Sequence, residues 1–187
     1  MSCKTATWSS SGSTCSQMET DPDDIPRHLA RQLVPVPLPR RREFIEALAD
    51  KARLWAGRTG TVTAWQADDG FVCSVLPVVG TAAPVWIVAT DWIDVQVGAD
   101  NNSRWELTYS AEHQASVEDL MRGVIEAGAT EYRAFGRSRV RVVSARGDLW
   151  SRKGMESLWG LVPAPGWRRW GTRHAFTPYA GNGALRR

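Results

Sequence analysis

Residues 61–76 read TVTAWQADDGFVCSVL, and the period of this stretch decides the fold class. Two runs rich in β-branched and apolar side chains, repeating at every second residue and parted by ADDG, form a hairpin pattern; a helix would repeat at three to four. Downstream, APVWIVAT, IDVQV and RWELTY add three strand-like runs separated by GADNNS and shorter breaks. An antiparallel meander of about five strands follows. In RWELTY, Trp105, Leu107 and Tyr109 face one side while Arg104, Glu106 and Thr108 face the other, so one face is core and the other meets solvent.

Helical periodicity brackets this β region. Before it, LVPVPLPRRR holds the chain extended through alternating prolines. Pro39 is placed as a first helical residue, Phe44, Leu48, Ala52 and Trp55 fall on one stripe, and Gly57 ends a helix expected over residues 39–56. After it, Val117, Leu120, Met121, Val124 and Ile125 stand at i, i+3, i+4, i+7 and i+8, with Glu118, Asp119, Arg122 and Glu126 opposite. Ser116 or the earlier Ser110 caps this second helix, and Gly128 stops it. TEYRAF and RVRVVSA then read as strands joined by GRS, with RGD as the next turn. A short helical piece around residues 155–159 and a final strand near residues 170–179 complete the chain. The expected fold is α+β: an antiparallel sheet of about five to eight strands packed by two main helices.

The 187 residues and their 43% hydrophobic content suit one domain, expected over residues 39–180. Residues 1–25 are polar and Asp-rich and read as a disordered tail, 26–38 as a proline-rich linker, and 181–187 as a C-terminal tail. Met18, followed by ETDPDD, offers an alternative start that would leave residues 1–17 outside the native product. No run approaches the roughly 18–20 apolar residues of a membrane helix, and the first residues lack the apolar segment of a signal peptide, so a cytoplasmic location is expected. Three cysteines, Cys3, Cys15 and Cys73, show no metal-site or disulfide spacing; Cys73 within FVCSVL reads as a small buried residue. The ten tryptophans are dispersed and read mostly as core or half-buried anchors. Arginine outnumbers lysine 20 to 3, as the codon usage of a GC-rich bacterium would produce.

The net charge of +3 hides a segregated chain. Residues 61–132 hold 2 Lys and Arg against 11 Asp and Glu, while residues 133–187 hold 12 against 2. Either the two segments meet in space and neutralise each other, or they stay on separate faces and create a dipolar surface that steers a charged partner. The C-terminal GWRRWGTRHAFTPYAG concentrates the question. Trp167, Arg168, Arg169, Trp170 and Arg173 combine residue types that bind phosphates and bases, but strand alternation puts Trp167 and Trp170 on opposite sides, so they do not form one stacking platform. Arg40, Arg41 and Arg42 oppose the dipole of the first helix unless a carboxylate such as Glu43 or Glu46, or an external anion, compensates them.

Catalytic signals are few. His28, His113 and His174 have no metal-ligand spacing, no Ser or Cys sits in a nucleophile context, and no glycine-rich phosphate loop occurs. A spatial pairing of Cys73 with His113 is the nucleophilic arrangement the chain leaves open. Asp68 and Asp69 read as a hairpin turn, Asp91 and Asp94 as strand-edge or loop charges, and Arg146-Gly147-Asp148 as a turn.

The pattern RWEL…VEDLMRGVIEAG…GRSRVRV…PGWRRWGTRHAFTPY resembles a family of small, uncharacterised actinobacterial proteins, over roughly residues 90–180. Such proteins are similar in size and α+β build to the immunity proteins of bacterial polymorphic toxin systems. That resemblance implies a cognate toxin as partner and supplies no catalytic residues. The expectation is a non-enzymatic protein-binding domain, immunity-like or regulatory, without cofactor or metal. Its partner contacts are expected at Arg40, Arg41, Arg42, Trp167, Arg168, Arg169, Trp170 and Arg173. The alternatives are a nucleic-acid-binding module using the basic C-terminal segment and, third, a small enzyme with an unrecognised site.

Overall fold

In the computed structural model, which describes residues 35–78, 80–98, 104–155 and 171–180, Ala67 faces Gly70 across a turn made by Asp68 and Asp69. From that turn β1 (Gly60–Ala67) and β2 (Gly70–Pro77) run antiparallel without a bulge. β3 (Val85–Ala89), β4 (Ile93–Val97) and β5 (Arg104–Leu107) follow, each antiparallel to the strand before, in the order β1-β2-β3-β4-β5. This is the expected five-stranded meander. Its register aligns Ala64, Cys73, Ile87, Val95 and Trp105 in one row and Gln66, Phe71, Ala89, Ile93 and Leu107 in the next, on the face turned to the core. The strand in RWELTY ends at Leu107; Trp105 and Leu107 are buried, and Tyr109 beyond it packs edge-on against Phe44 with ring centroids 6.0 Å apart.

Helix α1 (Leu38–Ala56) packs against β1 and β2 through Phe44, Ile45, Leu48, Ala49, Ala52 and Ala56. It begins one residue before Pro39 and is closed by Gly57, whose positive φ of 53° suits glycine. Helix α2 (Ala111–Ala127) is capped by Ser110, not Ser116: the Ser110 hydroxyl accepts the His113 N–H at 3.1 Å. Its predicted stripe is buried, with Val117, Leu120, Met121 and Val124 fully enclosed. Gly123 lets the helix press onto the end of a second sheet, since a Cβ there would stand 2.5 Å from the Val143 carbonyl oxygen.

That second sheet comprises β6 (Ala129–Ala134), β7 (Arg137–Val143), β8 (Leu149–Met155) and β9 (Thr172–Phe176), all antiparallel, in the order β8-β7-β6-β9. Among the described residues, nine antiparallel strands and two helices make the expected α+β fold, with the strands divided between two sheets where the sequence pointed to one. Phe135 and Gly136, both at positive φ, form the tight β6–β7 turn, so Arg137 and Ser138 of the expected GRS loop already belong to β7. Met155, where a helical piece was expected to begin, is the last residue of β8; residues 156–159 lie outside the described ones. The final strand is shorter than the expected 170–179. Trp105 and Trp150 meet edge to face at 6.2 Å where the sheets adjoin, and Tyr179 returns the chain to the first sheet. The tail and linker expectations for residues 1–34 and 181–187 fall outside the described residues. Among the described residues, no helix is long and apolar enough to cross a membrane.

Candidate interaction surface on the four-stranded sheet

The arginine triplet separates into three roles. Arg41, expected among the partner-facing cations, is only 8% exposed and is committed inside the molecule. Its Nε donates to the Val36 carbonyl at 2.7 Å, one terminal nitrogen donates to the Asp69 carbonyl at 3.1 Å, and the other pairs with Asp91. One guanidinium thus ties the entry of α1 to the β1–β2 turn and the β3–β4 turn through two carbonyls and a carboxylate. Arg42 pairs with Glu46 at 2.8 Å one helical turn on, the internal compensation of the helix dipole that the sequence suggested. Arg40 lines a cavity of about 570 Å³ with Glu43, Phe44, Tyr109 and Gln114. Trp167, Arg168, Arg169 and Trp170 lie outside the described residues.

Arg173 does reach a distinctive surface, and strand register shows which one. Lys153, Arg139, Tyr132 and Arg173 stand in one cross-strand row over β8, β7, β6 and β9. Alternation places Arg137 and Arg141 on the same face two residues to either side of Arg139, while Ser138, Val140 and Val142 between them are buried. Five cations and one tyrosine therefore share the outer face of the sheet. The sole carboxylate within these four strands, Glu131, is on the opposite face, 1% exposed and 3.1 Å from Arg133 Nε.

Two contacts on the outer face are with a ring and a hydroxyl. Arg173 lies over the Tyr132 ring, 5.9 Å from its centroid, and Arg139 Nε donates to Ser151 Oγ at 2.6 Å. Arg141, Lys153 and Arg173 form no ion pair among the described residues, and Arg141 Nε is buried without a hydrogen-bond partner among them. At the ends of the face stand exposed apolar side chains: the cross-strand pair Val143 and Leu149, 50% and 48% exposed, and Phe135 in the β6–β7 turn at 58%.

The acidic segment is elsewhere. Asp94 and Glu106 share a row on the outer face of the five-stranded sheet, next to Arg104. Burial raises the Asp94 carboxyl above its ordinary range, against the Trp92 indole N–H, which donates to it at 2.9 Å, and the Arg104 charge. Glu118 pairs with Lys51 of α1. From the basic segment, Arg146 meets Asp119, with Nε at 3.6 Å and its backbone N–H donating at 3.1 Å, and Arg133 meets Glu131. Among the described residues, Arg141, Lys153 and Arg173 of the outer face form no ion pair with these acidic groups.

The nucleophilic arrangement does not form. Cys73 is buried in the core row, where desolvation pushes its thiol up to about 11, so it stays protonated at neutral pH. His113 accepts from the Thr108 backbone N–H at 3.1 Å and sits 2.6 Å from the Thr108 hydroxyl, bracing the turn into α2. His174 packs edge-on against Phe176 at 4.4 Å. Among the described residues, no group of three or more His, Cys, Asp or Glu could hold a metal ion.

Sequence reasoning reached Arg173 but missed Tyr132, Arg137, Arg139, Arg141 and Lys153 as its companions. The signal was present in RSRVRVV, where Arg137, Arg139 and Arg141 alternate with small or apolar residues. No protein-family model matches the chain, and no curated protein or solved structure matches it either.

Proposed function

We propose that this protein is a non-enzymatic binding module whose interface is the outer face of the four-stranded sheet, and that its partner is a protein with an acidic surface. The observation that carries this reading is the row Lys153, Arg139, Tyr132 and Arg173, flanked by Arg137 and Arg141, on a face without carboxylates in its four strands. Cations so arranged accelerate encounter with an oppositely charged surface, and arginine and tyrosine are residue types enriched where binding energy concentrates.

The exposed Val143, Leu149 and Phe135 favour protein over nucleic acid as the partner. Apolar anchors beside a charged field suit a protein interface, whereas a single-strand binder interleaves its cations with several stacking aromatics. On this face the four strands present one aromatic, Tyr132, and Arg173 already lies over it. An immunity-type role, with a toxin as the acidic partner, is the form of this reading that the sequence resemblance supports.

The test is affinity capture from native lysate with and without nuclease, using wild-type protein and a triple variant, Arg141→Glu, Lys153→Glu and Arg173→Glu. A specific acidic protein should be retained through nuclease treatment by the wild type and lost by the variant. Retention that vanishes with nuclease, and direct salt-sensitive binding to random single-stranded DNA or RNA, would transfer the face to nucleic acid.

A further inference from the structure

Among the described residues, the β1 edge of the five-stranded sheet has none of the usual protection. β1 reads GTVTAWQA: eight residues with no charge and no proline, paired with β2 one-to-one along its whole length, so no bulge twists it away. Among the described residues, nothing pairs with its other side. Thr61, Thr63, Ala64, Trp65 and Gln66 are exposed, although Ala64 and Gln66 belong to rows that are otherwise turned to the core.

The ladder fixes which backbone groups are offered. Val78 N–H donates to the Thr59 carbonyl at 2.9 Å, and bonded and non-bonded pairs alternate along an antiparallel ladder. Thr61, Thr63 and Trp65 are therefore bonded to β2, while Gly60, Val62, Ala64 and Gln66 direct their N–H and C=O groups to the open edge. Along the outer face beside that edge, three large apolar side chains are exposed: Trp65 at 46%, Leu76 at 41% and Val78 at 68%.

We propose that β1 pairs with β1 of a second copy of this chain, antiparallel about a two-fold axis through Thr63, joining the two five-stranded sheets into one. In that register Val62 exchanges hydrogen bonds with Ala64 of the second copy and Gly60 with Gln66, so all four open positions are used. Trp65 then stands opposite Thr61 of the second copy, beside which Leu76 lies in the β1–β2 register, and the exposed indole covers both. The self-complementary register points to a second copy as the occupant, and the charge pattern allows it. In a two-fold pairing a strand meets its own sequence, so charges near the axis face their own sign; β1 has none, and the acidic pair Asp68 and Asp69 lies beyond the paired residues.

The experiment is sedimentation equilibrium of the full chain across the micromolar range, with three variants. Ala64→Pro removes an outward N–H and spares the β2 ladder, as proline is tolerated on an edge. Thr61→Lys with Trp65→Lys, and Thr61→Glu with Trp65→Glu, place like charges opposite each other in the self-pair. Wild type should sediment at twice the 20.7 kDa chain mass. Each variant should sediment at the single mass, and an equimolar mixture of the Lys and Glu variants should recover the doubled mass. A wild type that stays at the single mass, charged variants that dimerise as well as wild type, or a mixture that fails to associate while both components keep their circular dichroism would overturn the proposal. Should Ala64→Pro fail to fold, the charged pair decides.

Discussion

The hydroxyl of Tyr179 stands 2.9 Å from the carbonyl oxygen of Val75 and 2.8 Å from that of Ala83, buried at a point 104 and 96 residues distant in the chain. It fastens the segment after β9 to the strand β2 and to the approach to β3. Burial raises the phenol well above its ordinary range, so it remains a donor throughout the physiological pH range. Tyr179→Phe keeps the ring and removes the donor, leaving two buried carbonyls short of it. Chemical denaturation should show a loss of about 1–3 kcal/mol. Tyr179→Ala, which also opens a cavity, should cost about 3–5 kcal/mol.

Arg41 fastens the other end of the fold, and its loss should be felt asymmetrically. Arg41→Ala strips donors from the Val36 and Asp69 carbonyls and leaves Asp91 alone, so a loss of about 1–3 kcal/mol is expected in urea unfolding. Asp91→Ala should cost less, because the Asp91 side chain is 56% exposed and two of the three arginine contacts survive. A double-mutant cycle should give a coupling smaller than the Arg41→Ala loss itself. Equal losses for the two single changes would mean that the ion pair, not the carbonyl contacts, carries the role.

Cys73 sets an alkaline limit on stability. Its folded value is pushed up to about 11 from an ordinary 9.0, so between these the folded state holds a proton that the unfolded state has released. The stabilisation is complete below the unfolded value and is lost as pH rises toward the folded one, at up to about 1.4 kcal/mol per pH unit. Cys73→Ala should flatten the stability profile between pH 9.0 and 10.0, above which the desolvated phenols of Tyr109 and Tyr179 add losses of the same sign, while introducing its own smaller, pH-independent loss. Melting temperatures measured through this range would test it. In the same range a thiol reagent should label Cys73 at the rate of unfolding and no faster.

The elements that could be read from sequence are those whose signals are local. The two-residue period of residues 61–76, the stripe from Val117 to Ile125 and the glycines at 57 and 128 each carry their instruction within a few residues. β8 was hidden because polar side chains stand on both its faces: Ser151 and Lys153 point outward, and Arg152 falls in the inner row with Glu131. Division into two sheets was equally unreadable, since spatial strand order leaves no local mark. The same limit applies to the site. RSRVRVV shows an arginine face, but only pairing with β6, β8 and β9 brings Tyr132, Lys153 and Arg173 beside it. The Arg41 contact with Asp91 spans 50 residues, so a triplet of arginines gave no hint that one member is internal.

A surface retained for binding should be less stable than its backbone allows, and Lys153 offers the means to measure this. It lies directly across from Arg139 on the outer face, two cations at adjacent cross-strand positions, where like charges repel. Lys153→Glu would replace that repulsion with an opposite-charge pair, and such pairs contribute about 0.2–1 kcal/mol on a sheet surface. The variant should therefore melt slightly higher than wild type at low salt, with the gain fading as ionic strength screens the pair. The same change removes a cation from the β8 end of the proposed interface row, so affinity for the acidic partner should fall, chiefly through a slower, less salt-sensitive association rate. Stability gained with binding lost is the signature of a face kept for function. Unchanged association kinetics in a variant with the predicted stability gain would place the partner on a different surface, whereas a fall in stability would mean that Lys153 has a structural partner on this sheet.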